Sequence, residues 1–525
     1  MKNLLNYFTC TTLVFFLAGC DSEEYLEEEP RDIITADNLF ANPEGFQNGL
    51  NALYASARDE RQRDEQGFFF GTRGWIAQGA TDDTYSSRFG SRGLYYVEFG
   101  GNLNATVQGL NNVWQWLYEN INTANTIIGR AENPNIEWSS DEEKQIVIAE
   151  ARMVRAWAYR HLTYLWGDVP LILEESSGNN IRTDFIREPV ANILNVMEAD
   201  WLFAEEHLPD INNVVGRPVK GAAQHYLAEL YLQKEDFISA EEKAMAVISN
   251  TNYSLVTQRY GVRASEPGVP FMDQFFKGNT LRSQGNTEVL WEMPHDRDAI
   301  GGGGNVMRRS WLIRYSVLDD VPISPERGRG TDFYAVTKHA WELYEENDDR
   351  GSEFAVVRFV LTTAGDTIPT TIEDRQEPTR DPLWPSTAKW HDGDPTDLGR
   401  NEGYNDQPYL RLGETYLLLA EAQFRGGDVD SATQTLNILR NRSNASPITE
   451  AEVNIDFILD ERTRELITEE QRRYTLLRLG KWLERTRLYN SQSGPLITER
   501  DRLLPIPQPV IDANLDLEFP QNPGY

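Results

Sequence analysis

Two groupings of residues concentrate aromatic faces beside cationic donors. Trp75, Tyr85, Arg88, Phe89, Tyr95 and Tyr96 fall within one stretch, while His295, Trp311, Arg314 and Tyr315 surround the glycine run 301–304, with Trp390 further on. A ring face is a flat apolar surface, and a guanidinium pairs bidentately with a carboxylate or sulfate. Core packing beneath a loop competes for each aromatic taken singly, so the clusters carry the inference rather than their members. Nucleophilic and metal-assisted chemistry has no comparable foothold. No His-Glu-x-x-His, Gly-x-Ser-x-Gly, phosphate-loop or dinucleotide pattern occurs, and the six histidines are scattered. Glycoside hydrolysis needs only two positioned acids, but among 82 acidic residues neighbours such as Asp82-Asp83, Asp319-Asp320 and Asp348-Asp349 arise by chance. Asp392, Asp394 and Asp397 offer carboxylates to calcium, lack the EF-hand spacing, and read as a turn. No catalytic residue, metal ligand or cofactor is therefore assigned, and a structural calcium ion is the sole metal option left open.

The only cysteines are Cys10 and Cys20, so the body of the chain holds no disulfide, zinc cluster or thiol nucleophile. Cys20 has a chemistry of its own. Lys2 precedes an apolar stretch through Leu13, Val14, Phe15, Phe16 and Leu17, which ends in Leu17-Ala18-Gly19-Cys20. This has the form of a secretory signal over 1–19 closed by a lipobox, in which small residues precede a cysteine that is acylated and becomes the new N-terminus. Residues 20–40, rich in acids from Asp21 to Glu29, read as a solvated tether. No later stretch is long and apolar enough to span a bilayer. A formal charge of −32 repels phosphate backbones and anionic headgroups, which excludes nucleic acid as a partner and adsorption through a basic patch.

The elements that must hold these groups are mostly helical. With 40% hydrophobic and 11% aromatic residues the chain can bury a sizeable core. In 149–166, Val154, Trp157, Ala158, Leu162 and Leu165 share a face, with Arg152, Arg155 and Arg160 mostly off it, and the helix should stop near Gly167. Leu227-Ala228-Glu229 with Asp236, Ser239 and Ala240 recurs 192 residues on as Leu419-Ala420-Glu421 with Asp428, Ser431 and Ala432. That is helix, turn, helix in the tetratricopeptide manner, and looser pairs fall at 44–58 with 110–131 and at 143–166 with 190–207. The expected fold is mainly α: four TPR-like helix pairs in a curved superhelical scaffold, with a loop-rich, partly β second lobe inserted. Three pairs occupy 41–250, the lobe 251–407, and the fourth pair with a terminal helix 408–525. A smaller aromatic insertion, 62–108, interrupts the first pair. Trp114, Trp116, Trp157 and Trp166 lie at helical spacing and read as core. The terminal helix, 454–486, reads as a salt-bridged surface with Leu466, Leu476 and Leu479 inward.

Separate stretches in a fixed order carry a family resemblance. They include Ala149-Glu150-Ala151-Arg152, Leu165-Trp166-Gly167-Asp168-Val169-Pro170, Gly216-Arg217-Pro218-Val219-Lys220-Gly221, Asn286-Thr287-Glu288-Val289-Leu290-Trp291, Leu410-Arg411-Leu412-Gly413-Glu414 and the closing Leu504-Pro505-Ile506-Pro507. With the lipobox in front, the chain resembles the SusD/RagB outer-membrane lipoproteins of Bacteroidetes over nearly its full length. The resemblance implies a lipid-anchored, surface-exposed, glycan-binding protein of the outer membrane. Its implied partner is a SusC-like TonB-dependent transporter, over which it closes as a hinged lid for nutrient uptake. Family members bind without cleaving; a peptide-capturing lid of a RagA-like importer and a surface glycoside hydrolase are the alternatives. The loops at 75–96 and 295–315 are expected to converge as the ligand site.

Overall fold

The computed structural model describes residues 35–62, 72–86, 103–178, 180–372 and 381–525; the leader, Cys20 and the acidic run after it lie outside these. Its principal helices are α1 (Pro43–Arg58), α2 (Gln108–Ala131), α3 (Asp141–Trp166), α4 (Val190–His207), α5 (Lys220–Gln233) and α6 (Phe237–Ile248), followed after the long insertion by α7 (Leu412–Gly426), α8 (Val429–Arg442), α9 (Ile455–Leu466), α10 (Arg472–Arg478) and α11 (Trp482–Tyr489). The fold is mainly helical, as the periodicity predicts, and its described strands pair only two by two.

Local chemistry sets the boundaries. α1 starts where the Asn42 side chain accepts the Gly45 N–H at 3.1 Å, with Pro43 at its first position. α3 starts at Ser140, which accepts the Glu143 N–H at 3.1 Å, and three acids fill its positive first turn. It ends where Gly167 takes a φ of +74°, a conformation that costs glycine little.

α3 is buried almost all round, with α1, α2 and α4 packed against it. Of the three arginines expected off its buried face, Arg152 is partly exposed, but Arg155 and Arg160 are inside it. Arg155 forks onto Asp200 of α4 at 2.8 and 2.7 Å, and Arg160 onto Glu229 of α5 at 2.8 Å for both bonds. Each buried guanidinium thus meets a carboxylate in matched planar geometry.

The internal repeat is one capped hairpin built twice. Asp236 accepts the Ser239 N–H at 3.1 Å to open α6, and Asp428 accepts the Ser431 N–H at 3.0 Å to open α8. Ala240 and Ala432 are fully buried in the helices so started. The hairpins stack: Gln423 donates to Glu241 at 3.2 Å and Arg425 to the Leu232 carbonyl at 3.3 Å. The insertion between them leaves and returns through an antiparallel pair, Val289–Met293 with Gln407–Arg411. The smaller insertion joins the larger where Thr84–Ser86 pairs with Tyr334–Val336.

The terminal segment departs from expectation. It is not one helix but three, α9 to α11, broken where Thr468 and Gly480 take positive φ. Side chains from elsewhere take the carbonyls that would continue α9. Arg411 donates to the Glu465 carbonyl at 2.6 Å and Lys389 to the same oxygen at 2.9 Å. Nor do the charges form a surface: Glu461, Arg462, Glu465, Glu469, Arg472 and Arg485 are all buried. Arg411 reaches Glu469 at 2.7 Å, Arg442 reaches Glu288 at 2.7 Å, and Arg350 lies 2.9 Å from Glu461. Arg472 holds Asp82 with two bonds of 2.8 Å, and Arg485 adds a third at 2.6 Å. Leu466 and Leu476 are buried, whereas Leu479 is only partly so.

Candidate functional site

The two insertions meet where the sequence places its aromatic clusters, but the rings meet inside the core. Trp75 lies face to face with Tyr334, the planes 9° apart, and Trp311 stands edge-on to Trp75 at 6.2 Å. Tyr85 tilts against Trp384 at 6.3 Å. The Tyr315 hydroxyl donates to the Gly328 carbonyl at 2.7 Å and accepts from the Ser324 N–H at 2.9 Å, and the Trp390 indole donates to Thr468 at 2.7 Å. None of Trp75, Tyr85, Trp311, Tyr315 and Trp390 is more than 6% exposed. The expectation that these faces receive a ligand is corrected: protein already covers them. Arg314 is half-buried, while Arg88, Phe89, Tyr95 and Tyr96 lie outside the described residues.

His295 is different, because it borders open space. A cleft of about 670 Å³ runs between α1, the strand Val289–Met293 and the loop 296–302. The backbone N–H of His295 donates to Asp406 at 2.8 Å. Burial, with the Arg58 and Arg61 guanidiniums nearby, pushes its imidazole down to about 3, so the ring is neutral at pH 7. Arg58 donates to the Pro294 carbonyl at 2.8 Å and to the Gly301 carbonyl, tying α1 to the glycine run.

A second polar group lines the cleft. The Tyr54 hydroxyl donates to Glu150 at 2.7 Å, and Arg217 donates to the same oxygen at 3.0 Å and to Asn51 at 3.2 Å. Burial raises the Glu150 carboxyl against the opposing pull of Arg217, and burial with Glu150 raises the Tyr54 phenol. Burial also raises Asp406. Val214, Val215 and Ile300 are exposed and give the cleft an apolar rim. Convergent donors and acceptors with an apolar border suit a polyhydroxylated ligand.

Tyr54, Arg58, Glu150, Arg217 and Asp406 were not among the expected site residues. Glu150 and Arg217 stand inside motifs that read as scaffold; Tyr54 and Arg58, one turn apart on α1, were the available signal. At the calcium option, Arg400 lies 2.7 Å from Asp392 and 2.7 Å from Asp394, so a guanidinium holds those carboxylates. Among the described residues no group of His, Cys, Asp and Glu is arranged to hold a metal ion, and no helix is long and apolar enough to cross a membrane.

Comparison with known proteins agrees with this architecture. A family model described as "SusD family" matches residues 349–525, and one described as "Starch-binding associating with outer membrane" matches residues 24–232. The chain belongs to the SusD family. It is similar to SusD-like protein P2 of Formosa agariphila, with 27% identity covering 98% of this chain and 99% of that one. Starch-binding protein SusD of Bacteroides thetaiotaomicron is 28% identical over 74% of each chain. A solved structure named as a laminarin binding SusD-like protein superposes with a TM-score of 0.70 at 22% identity, covering 92% of this chain and 99% of the other.

Proposed function

We propose that the chain is a carbohydrate-binding lipoprotein of the outer membrane. It captures oligo- or polysaccharide in the cleft beside His295 and acts as a lid on a SusC-like TonB-dependent transporter. The observation that carries the reading is the cleft itself: Tyr54, Arg58, Arg217, His295 and Asp406 converge on one open volume. The names of similar proteins support it, one as starch-binding and one as laminarin binding. These relatives are named for what they bind, and the chain is a binding protein rather than an enzyme. Acylation at Cys20 would hold it to the membrane, since each buried methylene contributes about 0.8 kcal/mol.

The test is retardation of the chain in gels cast with a panel of neutral, uronic and sulfated polysaccharides, with reducing ends assayed in parallel. Retardation without product is the expected result. Release of reducing ends, or failure with every glycan and capture of oligopeptides instead, would overturn it. For the anchor, radiolabelled palmitate should label the wild type and not Cys20→Ala. For the partner, pull-down from solubilised outer membrane should recover a transporter.

A further inference from the structure

A second cleft, of about 650 Å³, lies between α2, residues 170–176 and 182–185, and residues 509–519, and it shares no lining residue with the first. Its volume falls within the range typical of small-molecule sites. Tyr118 and Phe185, both partly exposed, contribute aromatic surface, with Trp114 and Phe519 buried in the walls. Trp114 is locked edge-on to Trp166 at 5.1 Å and tilted on Tyr118 at 5.2 Å, and the Tyr118 hydroxyl donates to the Pro170 carbonyl at 2.8 Å.

Reciprocal amide bonds hold the walls in place. Asn514 accepts from the Phe185 N–H at 2.7 Å and donates to its carbonyl at 3.0 Å; Asn122 accepts from the Ser176 N–H at 2.7 Å and donates to its carbonyl at 3.3 Å. The cleft is thus formed before any ligand arrives, which lowers the ordering cost of binding.

One lining group is left incomplete. Asn111 is 8% exposed, and its Oδ1 has no hydrogen-bond partner among the described residues. A buried carbonyl oxygen without a donor costs stability; Oδ1 is itself covered, so a hydroxyl entering the cleft would restore the bond as the amide turns toward it. Charge is nearly absent from the lining. Arg182 is satisfied by Asp184 at 2.7 Å, and Glu119 is exposed at the edge. Aromatic surface, a waiting amide and little charge select a neutral, hydroxyl-bearing ring over an anionic one.

We propose that this cleft is a second carbohydrate site, which takes a neutral sugar ring and is separate from the Arg58- and Arg217-lined cleft. Two sites of different electrostatic character would let one chain hold a polysaccharide at two points, so that weak single contacts add as avidity.

The experiment uses the full chain in a sugar-free zwitterionic detergent. The probes are maltose, cellobiose, laminaribiose and xylobiose, titrated by calorimetry and by saturation-transfer NMR. Ala52 and Ala513 are exposed lining residues of the first and second clefts, so a tryptophan at either should fill its cleft without disturbing the core. Ala52→Trp should leave binding of at least one disaccharide, and adding Ala513→Trp should abolish it. Asn111→Leu in the Ala52→Trp background should weaken that binding about tenfold with no fall in thermal midpoint. Loss of all binding in Ala52→Trp alone overturns the proposal and leaves the first cleft intact as a site. Residual binding indifferent to both Ala513→Trp and Asn111→Leu also overturns it. If no disaccharide binds the unsubstituted chain, the second site is overturned, while the first cleft stands or falls with the polysaccharide gels.

Discussion

The C-terminal charge core and the cleft beside the glycine run are built from the same side chains, and they use them in opposite ways. Around α9 and α10, Arg350, Arg411, Arg442 and Arg472 face Glu461, Glu465, Glu288, Glu469 and Asp82 at hydrogen-bond distance with water excluded. In the cleft, Arg58, Arg217, Tyr54 and Asp406 are likewise bonded, yet they line an open volume. Where partners surround a guanidinium on every side it fixes the packing of segments distant in the chain. Where one side is left open the same group becomes a recognition element. Composition cannot separate the two roles; only the presence of a void does.

The sharpest break of this contrast is Glu465→Gln. It leaves Arg350, Arg411 and Arg442 short of a shared carboxylate inside the protein, and should cost about 3–5 kcal/mol in denaturant unfolding. A cost below about 1 kcal/mol would mean that water reaches the site and that the charge core is a surface after all.

Trp311→Ala should follow closely, costing about 3 kcal/mol or more by opening a cavity against Trp75 and Tyr334. Carbohydrate affinity of the folded fraction should be unchanged. If affinity falls while stability holds, the ring belongs to the ligand and not to the core.

Acid titration addresses the cleft directly. The folded imidazole of His295 is held down to about 3, whereas the unfolded one titrates near 6.5. Between those values the unfolded chain binds the extra proton. The stability contribution is therefore complete above about 6.5 and is lost as pH falls toward about 3. His295→Gln should flatten the pH dependence of the unfolding free energy across that window, by at most about 1.4 kcal/mol per unit. An unchanged slope would show an imidazole open to solvent.

The smallest effect expected is that of Tyr54→Phe. Glu150 keeps Arg217, so stability should change by about 1 kcal/mol or less, while carbohydrate affinity falls about fivefold through the lost hydroxyl. An affinity equal to that of the unsubstituted chain would place the ligand elsewhere.

Helix positions were legible in the sequence because caps and apolar spacing are local. Asp236, Asp428 and Gly167 mark boundaries that the structure keeps, whereas the start of α3 at Ser140 lies upstream of the 149–166 stretch that the apolar spacing marks. The burial of charge was not legible. Arg411 and Glu465 lie 54 residues apart, Arg472 and Asp82 390 apart, and no periodicity links them. A guanidinium whose partner is remote reads as solvent-facing. The single helix expected over 454–486 failed for the same reason, since Lys389 and Arg411 claim its carbonyls from outside the segment. The aromatic loops drew attention to the neighbourhood of the cleft through His295, yet most of the cleft lining comes from α1, the 214–217 turn, residues 291–302 and Asp406. That is a convergence of segments, each unremarkable alone.

Beyond its pairing with Tyr334–Val336, the segment 78–86 is pinned by residues made 390 to 409 positions later. Trp482 donates to the Ala80 carbonyl at 2.8 Å, Asn490 to the Thr81 and Thr84 carbonyls at 2.7 and 2.8 Å, and Arg472 and Arg485 neutralise Asp82. During synthesis the early helices can pair as they emerge, but this buried aspartate stays uncompensated until Arg472 and Arg485 are available. Closing so long a loop is slow. The nascent chain should therefore remain loosely packed around Asp82 and chaperone-accessible until α10 and α11 emerge, when their docking joins segments far apart in the polypeptide.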